Sequence, residues 1–207
     1  MPPVKTTTLG ARVTYRPQHT SSTSSTASAT IADPDRPDLF YHLFEPPHAL
    51  SPSAPVYALS LLEEAPIDVT SRTIIGWLPA VTAGEGEDSA GLNDFVPNAA
   101  FVEILHEAVK SGLTDGVDEI QKNGALQLQQ GWMHIHDERN PPPLGRIGDS
   151  DDILGTVLVE NGEIKAETYQ PMPSYRLCTA DGIVRLTEGL AQRLKETLER
   201  EARAGHS

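Results

Sequence analysis

The 207-residue sequence contains a single cysteine, Cys178, so no disulfide can form within the chain. Small secreted proteins that depend on disulfides carry several cysteines, and this class is therefore excluded. Aromatic residues make up 5% and hydrophobic residues 38% of the sequence, which is little for a chain that packs over its whole length. The deficit predicts that the apolar residues are concentrated in one part of the chain.

Long apolar runs are missing as well. No stretch approaches the roughly 20 residues that cross a bilayer, and the N-terminus lacks the apolar segment of a secretory signal. Basic residues are also few, because 16 Lys and Arg stand against 29 Asp and Glu, for a net charge of −13. Binding to phosphates depends on basic patches, so we expect neither nucleic acid nor membrane as a partner. The composition favours a cytoplasmic protein with a basic protein partner or a small-molecule ligand.

The N-terminal segment differs from the rest of the chain. Residues 1–32 hold 13 Ser or Thr and three basic residues but no acidic one, so the acidic charge belongs to the remainder. With so few large apolar residues, the segment cannot offset the entropy of ordering. We therefore predict a disordered Ser/Thr-rich tail over residues 1–37 and a single domain over 38–207. The same composition is typical of a mitochondrial presequence, which makes the mitochondrial matrix the alternative location.

Helical periodicity is clearest in the middle of the chain. Apolar residues recur at helical spacing after Asn98, which predicts a capped helix over 99–111, with Gly112 at its end. Thr114 is expected to start a shorter second helix that ends near residues 123–124. The two form a predicted helical hairpin.

The C-terminal half predicts antiparallel strands. A strand is expected from residue 125 to 138, with a bulge at Gly131. The dipeptides Asn161-Gly162 and Asp181-Gly182 favour tight turns, which predicts two β-hairpins and a four-stranded meander. Thr187 is then expected to cap a final amphipathic helix that packs on the sheet. This order of elements predicts an α+β fold with a mainly antiparallel sheet.

The densest chemical cluster is the segment WMHIHDER at residues 132–139. In a strand, His134 and His136 point to the same side with Cα atoms about 6.5 to 7 Å apart, close enough for both imidazoles to reach one metal ion. A catalytic zinc needs a third protein ligand, for which Asp137, Glu138 and the distant His106 are the candidates. The competing interpretation is that both histidines are half-buried, hydrogen-bonded parts of the sheet.

Other groups are weaker. The segment GRIGDSDD at 145–152 begins like a calcium loop but lacks its later ligands, so its carboxylates are expected in turns and caps. Arg139, Arg146 and Arg176 are candidates for binding an anion, or else they pair with carboxylates, which outnumber them. The candidate substrate-binding residues are Trp132, Arg139, Arg146, Tyr175 and Arg176.

No nucleotide-binding or serine-hydrolase motif is found in the sequence. We therefore expect a non-enzymatic binding or protein-interaction domain without a cofactor. The alternative is a small hydrolase or isomerase, or a metal-binding domain. In that alternative His136, His134 and Glu138 are catalytic, His134 and His136 bind a divalent metal, and Asp137 and Arg139 assist.

Overall fold

The computed structural model describes residues 27–80, 92–143 and 146–205. The first 26 residues of the predicted tail and residues 81–91, 144–145 and 206–207 lie outside this part. The chain divides into two compact units, the first of Met1–Phe101 with Glu201–Ser207 and the second of Val102–Arg200. No helix among the described residues is long and apolar enough to cross a membrane. The α+β class predicted from the sequence is confirmed.

The first unit is built on an antiparallel five-stranded sheet in which each strand pairs with the next along the chain. Its strands are β1 (Ala29–Ala32), β2 (Phe40–Phe44), β3 (Val56–Ser60), β4 (Ile74–Pro79) and β5 (Val96–Pro97). The core of this sheet holds Phe44, Ala58, Val69 and Ile74, all nearly inaccessible to solvent. Pairing of β1 with β2 corrects the predicted tail boundary at residue 37, because Ile31 lies opposite Tyr41 in a regular ladder.

Two helices follow. They are α1 (Ala99–Asp115) and α2 (Glu119–Leu128). The Asn98 side chain accepts a hydrogen bond from the N–H of Ala100, as expected for a cap. The predicted start of the second helix at Thr114 is wrong, because α1 continues to Asp115 and is followed by Gly116, whose φ is +60°. The helix α2 also extends beyond the predicted end at residues 123–124.

The second unit contains a three-stranded antiparallel sheet in the order β6 (Gln130–His136), β7 (Ile153–Glu160), β8 (Glu163–Pro171). The turn between β7 and β8 is Asn161-Gly162, as predicted, with φ of 53° and 76° at the two residues. A separate two-stranded hairpin consists of β9 (Cys178–Thr179) and β10 (Gly182–Ile183). The predicted four-stranded meander is therefore wrong, although both of its hairpins exist.

The chain ends in α3 (Glu188–Ala204), which packs on the sheet as predicted. Leu190, Leu194 and Leu198 are each at most 1% exposed, and burying a leucine contributes about 1.5 to 3 kcal/mol. The predicted cap is wrong, since the Thr187 hydroxyl has no hydrogen-bond partner among the described residues. The N–H of Leu190 instead donates to Oδ2 of Asp118 at 3.2 Å. A buried carboxylate from the α1–α2 connection thus caps the helix.

Candidate functional site

The strand β6 separates its side chains onto two sides, as the alternation of a strand requires. Ile135 points inward and is fully buried, whereas Trp132 points outward and is 55% exposed. His134 and His136 share the outward side, with ring centroids 6.0 Å apart and planes at 74°. The predicted common orientation of the two histidines is thus present in the structure.

A register shift occurs at the end of β6. Ile135 pairs with Gly155 but His136 pairs with Ile153, so Leu154 is the extra residue on β7. The predicted bulge at Gly131 is wrong, because Gly131 lies opposite Val159 in the regular part of the ladder. The inserted Leu154 is fully buried, and burial of this side chain accounts for the irregularity.

The two histidine side chains are half-buried. Nδ1 of His134 and Nδ1 of His136 are both buried and accept or donate no hydrogen bond within the described residues. Burial and the neighbouring His134 lower the pKa of His136, against the opposing effect of Asp152. In the part of the chain that the structure describes, no three His, Cys, Asp or Glu side chains are grouped to hold a metal ion.

Asp137 directly follows β6, and its side chain is enclosed by the protein. Its Oδ1 accepts hydrogen bonds from the N–H of Arg139 and the N–H of Arg185, each at 3.0 Å. Its Oδ2 accepts a hydrogen bond from the Tyr175 hydroxyl at 2.8 Å. The carboxylate is fully buried, and this burial raises its pKa in spite of the nearby Arg139 guanidinium. The same burial, together with Asp137, raises the pKa of Tyr175.

Arg139 is the centre of this buried network. Its side chain is only 2% exposed, and Nε donates to Oδ1 of Asp152 at 2.7 Å. Nη1 donates to the carbonyl of Gly182, and Nη2 donates to the carbonyls of Asp151 and Arg176. A guanidinium has five N–H donors, and most of them are engaged here. The predicted role of Arg139 in binding an anionic substrate is therefore not supported by its contacts.

A second polar pair lies on α1 and β8. Nδ1 of His106 is 2.9 Å from the Tyr169 hydroxyl oxygen, which also lies 3.5 Å from the carbonyl oxygen of Leu154. Burial lowers the pKa of His106 and raises that of Tyr169. His106 was a candidate third metal ligand, but in the structure it contacts Tyr169 and Tyr175. It is half-buried and packs against these two tyrosines.

The remaining candidates are dispersed. Glu138 is half-buried, and its backbone N–H donates to the carbonyl of Arg185 at 2.7 Å. Arg146 is exposed, and the Arg176 side chain is 66% exposed with Nη1 3.9 Å from a carboxylate oxygen of Asp151. The structure therefore brings Tyr175 to Arg139 but leaves Arg146 and Arg176 on the surface.

Asp152 is the partner of Arg139 that the sequence does not reveal. The sequence predicts Asp152 among turn and capping residues, yet its carboxylate is buried against the Arg139 guanidinium and also accepts a hydrogen bond from Asn140. No spacing rule connects residues 13 positions apart across a proline-rich loop. A comparison with protein-family models, curated proteins and solved structures finds nothing that matches this chain.

Proposed function

We propose that this protein is a non-enzymatic binding domain that contacts a basic protein partner through the side of the β6–β7–β8 sheet that carries Trp132. The observation that carries the proposal is Trp132, which is more than half exposed in the middle of a strand. Tryptophan is enriched at the centres of protein interfaces, where it supplies a large apolar contact and a polar edge.

The side of the sheet that carries Trp132 is built differently from the opposite side. We call it the outer face. None of its side chains is buried, whereas Ile135, Val157 and Val159 on the inner side are fully buried. The outer face comprises Trp132, His134, His136, Thr156, Leu158, Lys165, Thr168 and Gln170. It combines an aromatic anchor with aliphatic and hydroxyl groups, which is a composition typical of an interface core and its rim.

The buried network favours binding over catalysis. A catalytic acid or base needs to reach a substrate, but Asp137 is fully buried and accepts three hydrogen bonds from the protein. Arg139 is likewise engaged by internal partners. These groups hold the segment after β6 in place, so they support the outer face without taking part in chemistry.

The partner's charge follows from that of the protein. A net charge of −13 repels acidic surfaces and attracts basic ones over roughly a Debye length, about 8 Å at physiological salt. A basic partner is also steered toward the protein, which raises the association rate. Binding is therefore expected to weaken as the salt concentration rises.

Affinity capture with the full chain tests this proposal. Trp132→Ala should reduce recovery of a stoichiometric partner by about tenfold or more, since central aromatic anchors carry much of the binding energy. Ile120→Ala is the matched control, because Ile120 is 58% exposed but lies on α2, away from the outer face. Equal recovery by the Trp132 variant and the wild type contradicts the proposal.

A second candidate is a metal-binding or acid/base function of His134 and His136, with Glu138 nearby. It is favoured by the two buried Nδ1 atoms, which have no hydrogen-bond partner in the described part of the chain, and by the 6.0 Å separation of the ring centroids. Elemental analysis and zinc titration of the wild type, His134→Ala and His136→Ala variants test it. Zinc bound by the wild type at one equivalent and lost in both variants supports it, and metal-free protein contradicts it.

A further inference from the structure

One edge of β6 carries backbone groups that pair with no strand in the part of the chain that the structure describes. In the described residues, β6 pairs with β7 on one side and has no strand on the other. The two-residue turn at 161–162 makes Glu160 and Glu163 a hydrogen-bonded pair, so the N–H and C=O of Glu160 point toward β8. The N–H and C=O groups of the preceding residue, Val159, then point toward β6, where Val159 pairs with Gly131.

The same alternation along β6 gives the direction of the backbone N–H and C=O groups of each residue. Gly131, Met133 and Ile135 direct their N–H and C=O groups to β7. Trp132 and His134, which lie between them, direct theirs away from the sheet. An antiparallel strand added to this edge can therefore form hydrogen bonds with both residues, next to the exposed Trp132 ring.

The two edges of the sheet differ in how they resist such pairing. The edge strand β8 carries Glu163, Lys165 and Glu167 and ends at Pro171, and charges and proline on an edge oppose the addition of strands. The edge strand β6 has the sequence QGWMHIH, which contains neither a Lys, Arg, Asp or Glu nor a proline. The protection typical of an edge is thus present at β8 and lacking at β6.

Carboxylates flank the unprotected edge. Glu160 is exposed and lies opposite Gln130, the first residue of β6. Glu138 follows two residues after His136, the last residue of β6, and is half-buried. A cationic strand is therefore attracted at both ends as well as by the net charge of −13. A second copy of this chain brings the same net negative charge, which disfavours self-association through this edge.

We propose that β6 accepts an extended cationic protein segment as an additional antiparallel strand, with backbone hydrogen bonds to Trp132 and His134. This inference rests on the proposed function and specifies its mode, which is β-strand addition. The segment's backbone supplies affinity, and its side chains on one side pack against Trp132.

A synthetic peptide of alternating lysine and valine is the probe. We expect saturable binding to the full chain below about 1 mM, with slower amide exchange at Trp132 and His134 measured by NMR. The same peptide methylated at its valine nitrogens keeps its side chains and charge but loses the donors that face β6 when valine packs against Trp132. It should bind at least about tenfold more weakly, as should an alternating glutamate and valine peptide.

His134→Pro provides a variant of the protein itself. The His134 N–H does not point to β7, and proline is tolerated where a strand's N–H faces away from its neighbour. The variant should retain the fold and bind the lysine peptide at least about tenfold more weakly than the wild type. The methylated peptide gives the same information without changing the protein, should the variant not fold.

The outcomes separate the inference from the proposed function. Equal binding of the methylated and unmethylated peptides overturns strand addition and leaves capture through Trp132 untouched. No binding of the lysine peptide also overturns the inference, as does a dimer of the wild type that His134→Pro dissociates. Equal capture by Trp132→Ala overturns the proposed function itself.

Discussion

Asp118 joins two helices through one buried side chain, and replacing it tests how the second unit is held together. The carboxylate is 3% exposed. Its Oδ1 accepts the N–H of Gln121 at 3.0 Å in the first turn of α2, and its Oδ2 accepts the N–H of Leu190 at 3.2 Å in the first turn of α3. Each helix N-terminus also carries a partial positive charge that a carboxylate stabilises. The two oxygens therefore cap two helices that are distant in sequence.

The expected loss of unfolding free energy follows from the two caps that Asp118 provides. Loss of one N-cap costs about 1 kcal/mol on average, and a buried N–H left without a partner costs about 1 to 3 kcal/mol. Asp118→Ala is therefore expected to lower the free energy of unfolding by about 2 to 4 kcal/mol. Asp118→Asn keeps one oxygen acceptor, so we expect roughly half of that loss.

Urea unfolding followed by circular dichroism measures both variants. Asp115→Ala is the control, because the exposed Asp115 pairs with Arg193 at 2.7 Å and such surface ion pairs contribute less than about 1 kcal/mol. The double-cap interpretation is refuted if Asp118→Ala unfolds within about 0.5 kcal/mol of the wild type. It is also refuted if Asp118→Asn costs as much as Asp118→Ala.

Three further predictions concern stability. Gly189→Ala should lower the free energy of unfolding in urea by about 1 to 3 kcal/mol, because the added Cβ would lie 2.7 Å from Cα of Asp118. A variant as stable as the wild type contradicts this prediction. Arg139→Met leaves Asp152 buried and unpaired and should lower the free energy of unfolding by about 3 to 5 kcal/mol. The control Arg176→Met replaces an exposed arginine and should lower it by less than about 1 kcal/mol. Burial lowers the pKa of His42 and of His106 below the ordinary value of 6.5. Below that pH the unfolded chain binds more protons than the folded one. The free energy of unfolding should therefore decrease as the pH is lowered below 6.5, by at most about 1.4 kcal/mol per pH unit for each histidine. A melting temperature that stays constant or rises as the pH falls from 6.5 contradicts this prediction.

Local signals in the sequence predicted the elements that depend on neighbouring residues. The turn at Asn161-Gly162 forms because both residues take the positive φ that a tight hairpin requires. The leucines of α3 are buried because their spacing places them on one side of the helix. Both features are determined within a few residues of sequence.

The bounds of α2 differ from the prediction at both ends. The α2 helix begins where Asp118 can cap it, and its end is set by Gln129, whose φ is 64°. The end predicted at residues 123–124 rested on Gly124, which is tolerated inside the helix beside Met133. In this case tertiary packing outweighs the low helix propensity of glycine.

The candidate site shows the same limit. The shared orientation of His134 and His136 follows from strand alternation and was predicted. The burial of Arg139 depends on Asp152 and Tyr175, which reach it from other parts of the chain. A list of titratable residues near one another in sequence cannot distinguish an open site from a closed network, because the difference lies in what covers them.

Strand addition to β6 is tested most directly by amide hydrogen exchange. Exchange is measured on the full chain with and without a partner captured through the outer face. We expect slower exchange at Trp132 and His134, whose N–H groups point away from β7, and little change at Met133, which is already paired with Val157. Unchanged exchange at Trp132 and His134, with new protection elsewhere in the chain, contradicts it.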